Sequence, residues 1–130
     1  MLTPPVKTVH SWIDAANRQD TDALLALSDP DVEIVGPRGS VRGAAVLRDW
    51  LTRAGLTLQN KRTFARGSAV VVEQRGVWRS AETGGEASEA DVASRFEVEG
   101  GRVVAYERFD DLGAALTAAG LGEADETNAA

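Results

Sequence analysis

The chain has 130 residues, 43% of them hydrophobic, which suits one globular domain and leaves little room for a second. Its 20 acidic and 14 basic residues give a net charge of −6, which disfavours nucleic acid or an anionic membrane as a partner. There is no cysteine and one histidine, His10, which excludes disulfides, a thiolate zinc site and a multi-histidine metal site within one chain.

The first half of the chain predicts three helices and one strand. Residues 4–18 have apolar side chains three and four positions apart, as in an amphipathic helix that begins at prolines. A shorter helix follows, with Asp20 or Thr21 as its cap, and stops at Asp29-Pro30. Residues 31–36 alternate as a strand, residues 37–40 make a turn, and a third helix carries Trp50 on its apolar side.

From Leu56 onward the apolar period changes from about 3.6 to 2. Strands are predicted at residues 57–66, 68–80, 87–99 and 102–109, with tight turns at 67–68 and 100–101 and a longer polar loop at 81–86. A last helix spans residues 112–119, and the small, acidic residues 122–130 predict a flexible tail. The order predicts one α+β domain over residues 1–121, with a long antiparallel sheet and helices on one of its faces.

The strand at residues 68–80 leaves two choices for its buried face. Val70, Val72 and Gln74 share one face, whereas Glu73 and Arg75 share the other. We favour the first set as the inward face because it is the more apolar one. The opposite choice would bury a charged pair and so indicate a functional site.

Six ordered segments resemble the nuclear transport factor 2-like superfamily, in its SnoaL-like and ketosteroid-isomerase-like branch. They are residues 12–20, 22–27, 31–37, 41–50, 100–104 and 106–110. The resemblance implies a cone-shaped sheet, a cystatin-like roll, wrapped around the N-terminal helices. It also implies a pocket for a hydrophobic small molecule and a homodimer formed through the opposite sheet face.

The proton-transfer residues of the ketosteroid isomerases are missing at the matching positions. By the resemblance, their tyrosine falls at Trp12, their base at Gly36 and their oxyanion-hole aspartate at or near Ser94. An indole donates one hydrogen bond but is a much weaker acid than a phenol. The isomerase mechanism is therefore disfavoured.

The candidate catalytic residues are Tyr106, Arg108 and Asp110, which alternation places on one face of the last strand. The resemblance turns that face into the cone, where these groups would orient a water or protonate a leaving oxygen, with Asp91 as a second carboxylate. The structural alternative is that Asp110 or Asp111 caps the last helix and Arg108 pairs with an acid. The candidate pocket-lining residues are Trp12, Trp50, Ser94 and Phe96.

Two functions remain open at this point. One is a cofactor-independent cyclase, hydrolase or dehydratase; the other is a noncatalytic ligand-binding or dimerisation module whose cavity is filled or has its polar groups satisfied. No cofactor is expected, because the glycine pairs suit turns and not a phosphate-binding loop. His10 is expected on the solvent side of its helix, two positions from Trp12. Without a secretory stretch or a membrane-length apolar run, a cytoplasmic location is expected.

Overall fold

The computed structural model describes residues 3–36, 39–54, 56–79 and 87–127. Within these residues it has four α-helices, a short 3-10 helix and a curved sheet of six strands. In chain order the elements are α1 (Pro4–Asn17), α2 (Thr21–Ala26), β1 (Ser28–Gly36), β2 (Gly39–Arg42), α3 (Ala44–Ala54), β3 (Leu56–Arg66), β4 (Ala69–Arg79), β5 (Ala87–Glu99), β6 (Arg102–Phe109) and α4 (Leu112–Ala119). The 3-10 helix is Glu123–Asp125.

The strands lie in the order β2-β1-β6-β5-β4-β3. The four strands from β3 to β6 form consecutive antiparallel pairs, as predicted. The sheet as a whole is mixed, because β1 pairs with β6 in parallel and aligns Ile34 with Tyr106. The short strand β2 pairs with β1 and is exposed along its length, whereas its residues were predicted to be part of a turn and a lead into α3.

Helix α1 packs across the inner face of the sheet, as its apolar stripe predicts. The inner face carries Val70, Val72 and Phe96, and α1 contributes Trp12 and Ile13 to the same core. The inward face favoured for β4 is therefore confirmed. None of the helices in the described ranges is long and apolar enough to cross a membrane.

Helix α4 lies on the opposite, outer face of the sheet. Its buried residues Ala115 and Leu116 pack against Phe64, Val71 and Ala93. The prediction that the helices share one face is therefore wrong for α4. The reason is that Phe64, Val71 and Ala93 give the outer face its own small apolar patch, which α4 covers.

Two side-chain contacts fix α1 to the edge strand β3. The amide of Asn17 donates to the carbonyl of Leu58 at 2.7 Å and accepts from its N–H at 2.8 Å. Unpaired backbone groups on an edge strand invite pairing with another chain, and this amide satisfies two of them.

Residues 122–127 lie against β3, whereas the composition of residues 122–130 predicts a flexible tail. The N–H of Thr127 donates to the carbonyl of Thr63 at 2.8 Å, and Glu126 forms an isolated bridge with Phe64. The difference arises because these contacts join positions far apart in the chain, which local composition does not reveal. Residues 128–130 and the predicted loop at 81–86 lie outside the described residues.

We expect two adjacent aspartates at the start of α4 to differ in their effect on stability. The carboxylate of Asp111 accepts from the N–H of Ala114 at 2.9 Å and caps the helix, whereas Asp110 precedes the cap. Replacing Asp111 by alanine should lower the free energy of unfolding by about 1 kcal/mol. Asp110→Ala, the matched control, should change it by less than about 0.5 kcal/mol. Urea unfolding measures both, and equal losses would contradict the assignment of the cap.

Candidate functional site

The centre of the inner face is an aromatic cluster formed by Trp12, Phe96 and Tyr106. The ring centroids of the three pairs lie 5.1 to 5.2 Å apart. All three side chains are buried. The indole N–H of Trp12 donates to the hydroxyl of Ser28 at 2.9 Å, and that hydroxyl donates to the carbonyl of Leu24 at 2.8 Å. The cluster therefore fills one part of the cone with side chains whose orientation is fixed.

Beside the aromatic cluster runs a polar row made of Asn60, Gln74, Ser94 and Tyr106. Ser94 donates to the amide oxygen of Gln74 at 2.7 Å, and the amide nitrogen of Gln74 donates to the amide oxygen of Asn60 at 3.1 Å. Gln74 and Ser94 are fully buried, whereas Asn60 is exposed. Because a buried polar group without a partner is costly, these bonds allow the row to cross an otherwise apolar face.

Tyr106 is the ionisable member of the polar row. Burial raises the pKa of its phenol, and interactions with Ser94 and with the positive charge of Arg108 offset only part of that rise. The phenol is therefore protonated at neutral pH, the state in which its hydroxyl can donate a hydrogen bond. This state suits the binding of an oxygen atom better than the removal of a proton.

The three predicted catalytic residues do not share one environment. Tyr106 is buried, whereas Arg108 is exposed and lies beside Ser94 in the register of β5 and β6, on the inner side of the sheet. Strand β6 ends at Phe109, and Asp110 lies in an exposed bend. The alternation of side chains along β6, which predicted that Asp110 shares a face with Tyr106 and Arg108, therefore does not extend to Asp110. The structure thus groups Tyr106, Arg108 and Ser94 and leaves Asp110 at the end of the strand.

The predicted pocket-lining residues Trp12, Ser94 and Phe96 are all buried, and Trp12 and Phe96 belong to the inner core. Their contact with a ligand remains a prediction. The side chain of Trp50, on α3, lies outside the part that the structure describes. Gln74 was predicted on the inward face of β4, but neither Gln74 nor Asn60 was predicted as a site residue. A signal for Gln74 was present, since it is the polar residue that continues the inward series of Val70 and Val72.

Asp91 does not serve as a second carboxylate of the inner face. It lies opposite Arg75 in the register and forms ion pairs with Arg75 at 3.2 Å and Lys61 at 3.5 Å. The hydrogen bond from Arg75, followed by the charge of Lys61, lowers the pKa of Asp91. Asp91 therefore belongs to an exposed ion-pair network, as alternation on β5 requires of a residue next to the inward Val92.

His10 is half-buried, so its expected position on the solvent side of α1 is wrong. Its Nε2 lies 3.1 Å from the hydroxyl of Thr63 on β3, and burial lowers the pKa of the imidazole. The reason is helical spacing: His10 is four residues after Val6 and three before Ile13, on a side that packs against the sheet. Among the described residues, no group of three or more histidine or acidic side chains is placed to hold a metal ion.

The curved sheet around α1 and its part-polar inner face define a cone-shaped α+β fold of the nuclear transport factor 2-like class. The model of the SnoaL-like domain matches residues 9–106, and the chain belongs to that family. No curated protein matches the chain in sequence.

Three solved structures illustrate the likeness. TerC, co-crystallised with polyporic acid, has 22% identity and a TM-score of 0.73, over 86% of this chain and 95% of TerC. A protein from Xanthomonas campestris pv. campestris, whose name proposes a polyketide cyclase, has 23% identity and a TM-score of 0.71, over 88% and 95%. An LEH-like epoxide hydrolase from M. tuberculosis has 21% identity and a TM-score of 0.71, over 89% of each chain. Identities this low show the shared fold alone.

The half-buried imidazole of His10 predicts a fall in the free energy of unfolding on mild acidification. Above the usual histidine pKa near 6.5, His10 is neutral in both the folded and the unfolded chain. As the pH falls below that value, the unfolded chain takes up the proton first, because the folded pKa is lower, and unfolding becomes easier. We expect the wild type to lose more stability between pH 7.5 and 5.5 than His10→Gln, as measured by urea unfolding. Equal losses in the two proteins would contradict a lowered pKa of His10 in the folded chain.

Proposed function

We propose that this chain binds a small, mainly apolar molecule inside the cone and holds an oxygen atom of that molecule through Tyr106 and Arg108. The observation that carries the proposal is the placement of a buried, protonated phenol two residues before an exposed guanidinium on one strand. Apolar and aromatic side chains with a few fixed polar groups are typical of small-molecule sites.

The polar row supports the proposal because it fixes the surroundings of the phenol. Ser94 is tied to Gln74, and Gln74 to Asn60, so the hydroxyl next to Tyr106 has a defined orientation. The phenol of Tyr106 therefore lies beside fixed neighbours. A donor group whose surroundings are fixed before binding loses little rotational freedom when a ligand arrives. The ligand class that matches these groups is an aromatic or alicyclic compound with an anionic or carbonyl oxygen.

A second candidate function is catalysis, as a cofactor-independent cyclase, hydrolase or dehydratase. One observation favours it: Asp111 caps α4, so the structural role that competed for Asp110 is filled by its neighbour. Asp110 then remains as an exposed carboxylate at the end of the strand that carries Tyr106 and Arg108. The epoxide hydrolase and cyclase names among proteins of this fold suggest proton transfer to or from an oxygen as the reaction class.

A homodimer through the outer sheet face and a cytoplasmic location also remain proposals. Helix α4 covers part of that face, so a dimer would use the part around the ion pair of Arg95 and Glu107, which are 3.2 Å apart. Both side chains are mostly buried already.

The binding proposal is tested with two fluorescent probes that differ by one charged group. The probes are N-phenyl-1-naphthylamine, which has no oxygen, and 8-anilino-1-naphthalenesulfonate, which adds a sulfonate. Tyr106→Phe should weaken binding of the sulfonate by roughly fivefold, the effect of one hydrogen bond, and leave the neutral probe unchanged.

Arg108→Gln should weaken sulfonate binding at least as much, because it removes a charged partner. The matched control is Arg102→Gln, an exposed arginine at the other end of β6. Fluorescence titration gives the dissociation constant of each probe for the wild type and the three variants, with the folded fraction held constant. A parallel loss for both probes, or no loss for either, would rule out an oxygen site at these residues.

The catalytic proposal is tested with aryl epoxides, with diol formation followed by chromatography. If Asp110 transfers the proton, Asp110→Asn should lower the rate at least about 100-fold and leave probe binding intact. The matched control is Asp111→Ser, which removes the neighbouring charge and keeps a good cap. Turnover that survives in Asp110→Asn would exclude this residue as the acid or base. No turnover in the wild type would leave binding as the function.

A further inference from the structure

The C-terminal segment, residues 122–127, covers part of the free edge of the sheet. Among the described strands, β3 is at the end of the order, so one side of its backbone has none of them as a neighbour. Asn17 occupies this edge at Leu58, and the C-terminal segment occupies it at Thr63 and Phe64. The segment therefore acts as a partial seventh strand.

Charged side chains supply most of the contacts between the segment and β3. Arg62 contacts Glu123 at 2.6 Å and Glu126 at 2.9 Å, and Arg66 lies 3.8 Å from Asp125. The guanidinium of Arg62 also stacks over the ring of Phe64, 4.9 Å from its centroid. The hydrogen bonds from Glu126 and Glu123 raise the pKa of Arg62, and the bond from Arg62 lowers the pKa of Glu126.

These contacts are specific but easily broken. The 3-10 helix Glu123–Asp125 buries none of its residues, and exposed ion pairs contribute little to stability and are screened by salt. The segment follows Gly120, whose left-handed conformation ends α4. The N–H of Gly122 donates to Asp125 at 2.9 Å, a bond within the segment that does not tie it to β3. Residues 123–127 can span about 17 Å when extended.

We propose that the edge of β3 is a docking site for the C-terminal segment of a second copy of this chain, so that two copies exchange residues 122–127 reciprocally. Direct pairing of two β3 edges is disfavoured, because each carries Lys61, Arg62 and Arg66 and would bring like charges together. An acidic segment between the edges removes that repulsion. The second copy supplies a segment that already matches the site in charge and hydrogen bonding.

The protein concentration determines whether the segment binds its own chain or a second copy. The exchanged contacts repeat those made within one chain, so the two forms differ mainly in effective concentration. A short connection gives the chain's own segment an effective concentration in the millimolar range. Exchange in the wild type is therefore expected only near that concentration, or where another interface already holds two copies together.

A charge swap between two full-length variants isolates the exchange. The edge variant is Arg62→Glu, and the segment variant is Glu123→Arg with Glu126→Arg. In each variant the segment is repelled by its own edge and by the edge of an identical copy. In a mixture, each segment meets an edge of opposite charge on the other variant. All three positions are at least partly exposed, so folding should be retained and is checked by circular dichroism.

Sedimentation of the fluorescently labelled edge variant gives the readout. It should associate with the segment variant at least tenfold more tightly than with unlabelled edge variant, and 0.5 M salt should reduce the difference. Combining all three substitutions in one chain should restore the closed form and abolish association with either variant. The matched control is Arg75→Glu, which reverses a similarly exposed, ion-paired arginine on β4.

The proposal is overturned if the edge variant associates equally with itself and with the segment variant, which a dimer through the sheet face would produce. It is also overturned if Arg75→Glu associates with the segment variant as tightly as Arg62→Glu does. Both readouts are independent of ligand binding in the cone.

Discussion

The position of Trp12 against the sheet is the contact on which the rest of the domain depends. Its ring packs against Phe96 and Tyr106, and its indole N–H donates a hydrogen bond to the hydroxyl of Ser28 at the start of β1. One side chain thus joins α1 to strands β5, β6 and β1. Because a buried indole N–H requires an acceptor, the contact fixes the rotation of α1 as well as its distance from the sheet.

This arrangement determines which chemistry the inner face offers. By the resemblance, Trp12 stands where the ketosteroid isomerases have a phenol, and its indole N–H is bonded to Ser28. The phenol of the site comes instead from the sheet, at Tyr106, with Ser94 and Gln74 beside it. The described polar row consists of hydroxyl and amide groups. Under the proposed function these groups bind an oxygen, and proton transfer would depend on the carboxylate of Asp110 outside the row.

The sequence predicted the elements well because their periodicity is local. Strands β5 and β6 and helix α4 begin and end at the predicted residues. The inward face of β4 was predicted correctly because Val70 and Val72 make that face the more apolar one. Nearly all of the fold class followed from this pattern and the ordered motifs.

The features that were missed all depend on contacts between distant parts of the chain. The pairing of β2 with β1, the packing of α4 on Val71 and the contact of Glu126 with Phe64 have no local signature. The candidate site was predicted in part for the same reason. Alternation placed Tyr106 and Arg108 on the inner side, but it could not show that β6 ends before Asp110.

The parallel pairing of β1 with β6 has a consequence for how the chain folds during synthesis. Strand β1 precedes β6, one of its two partners in the sheet, by about seventy residues, although their pairing aligns Ile34 with Tyr106. Helix α1 likewise packs on Phe96 and Tyr106. The apolar stripe of α1 therefore stays uncovered until β5 and β6 have been synthesised. Chains with such long-range contacts fold slowly, and the exposed stripe is the part of the nascent protein that chaperones would protect.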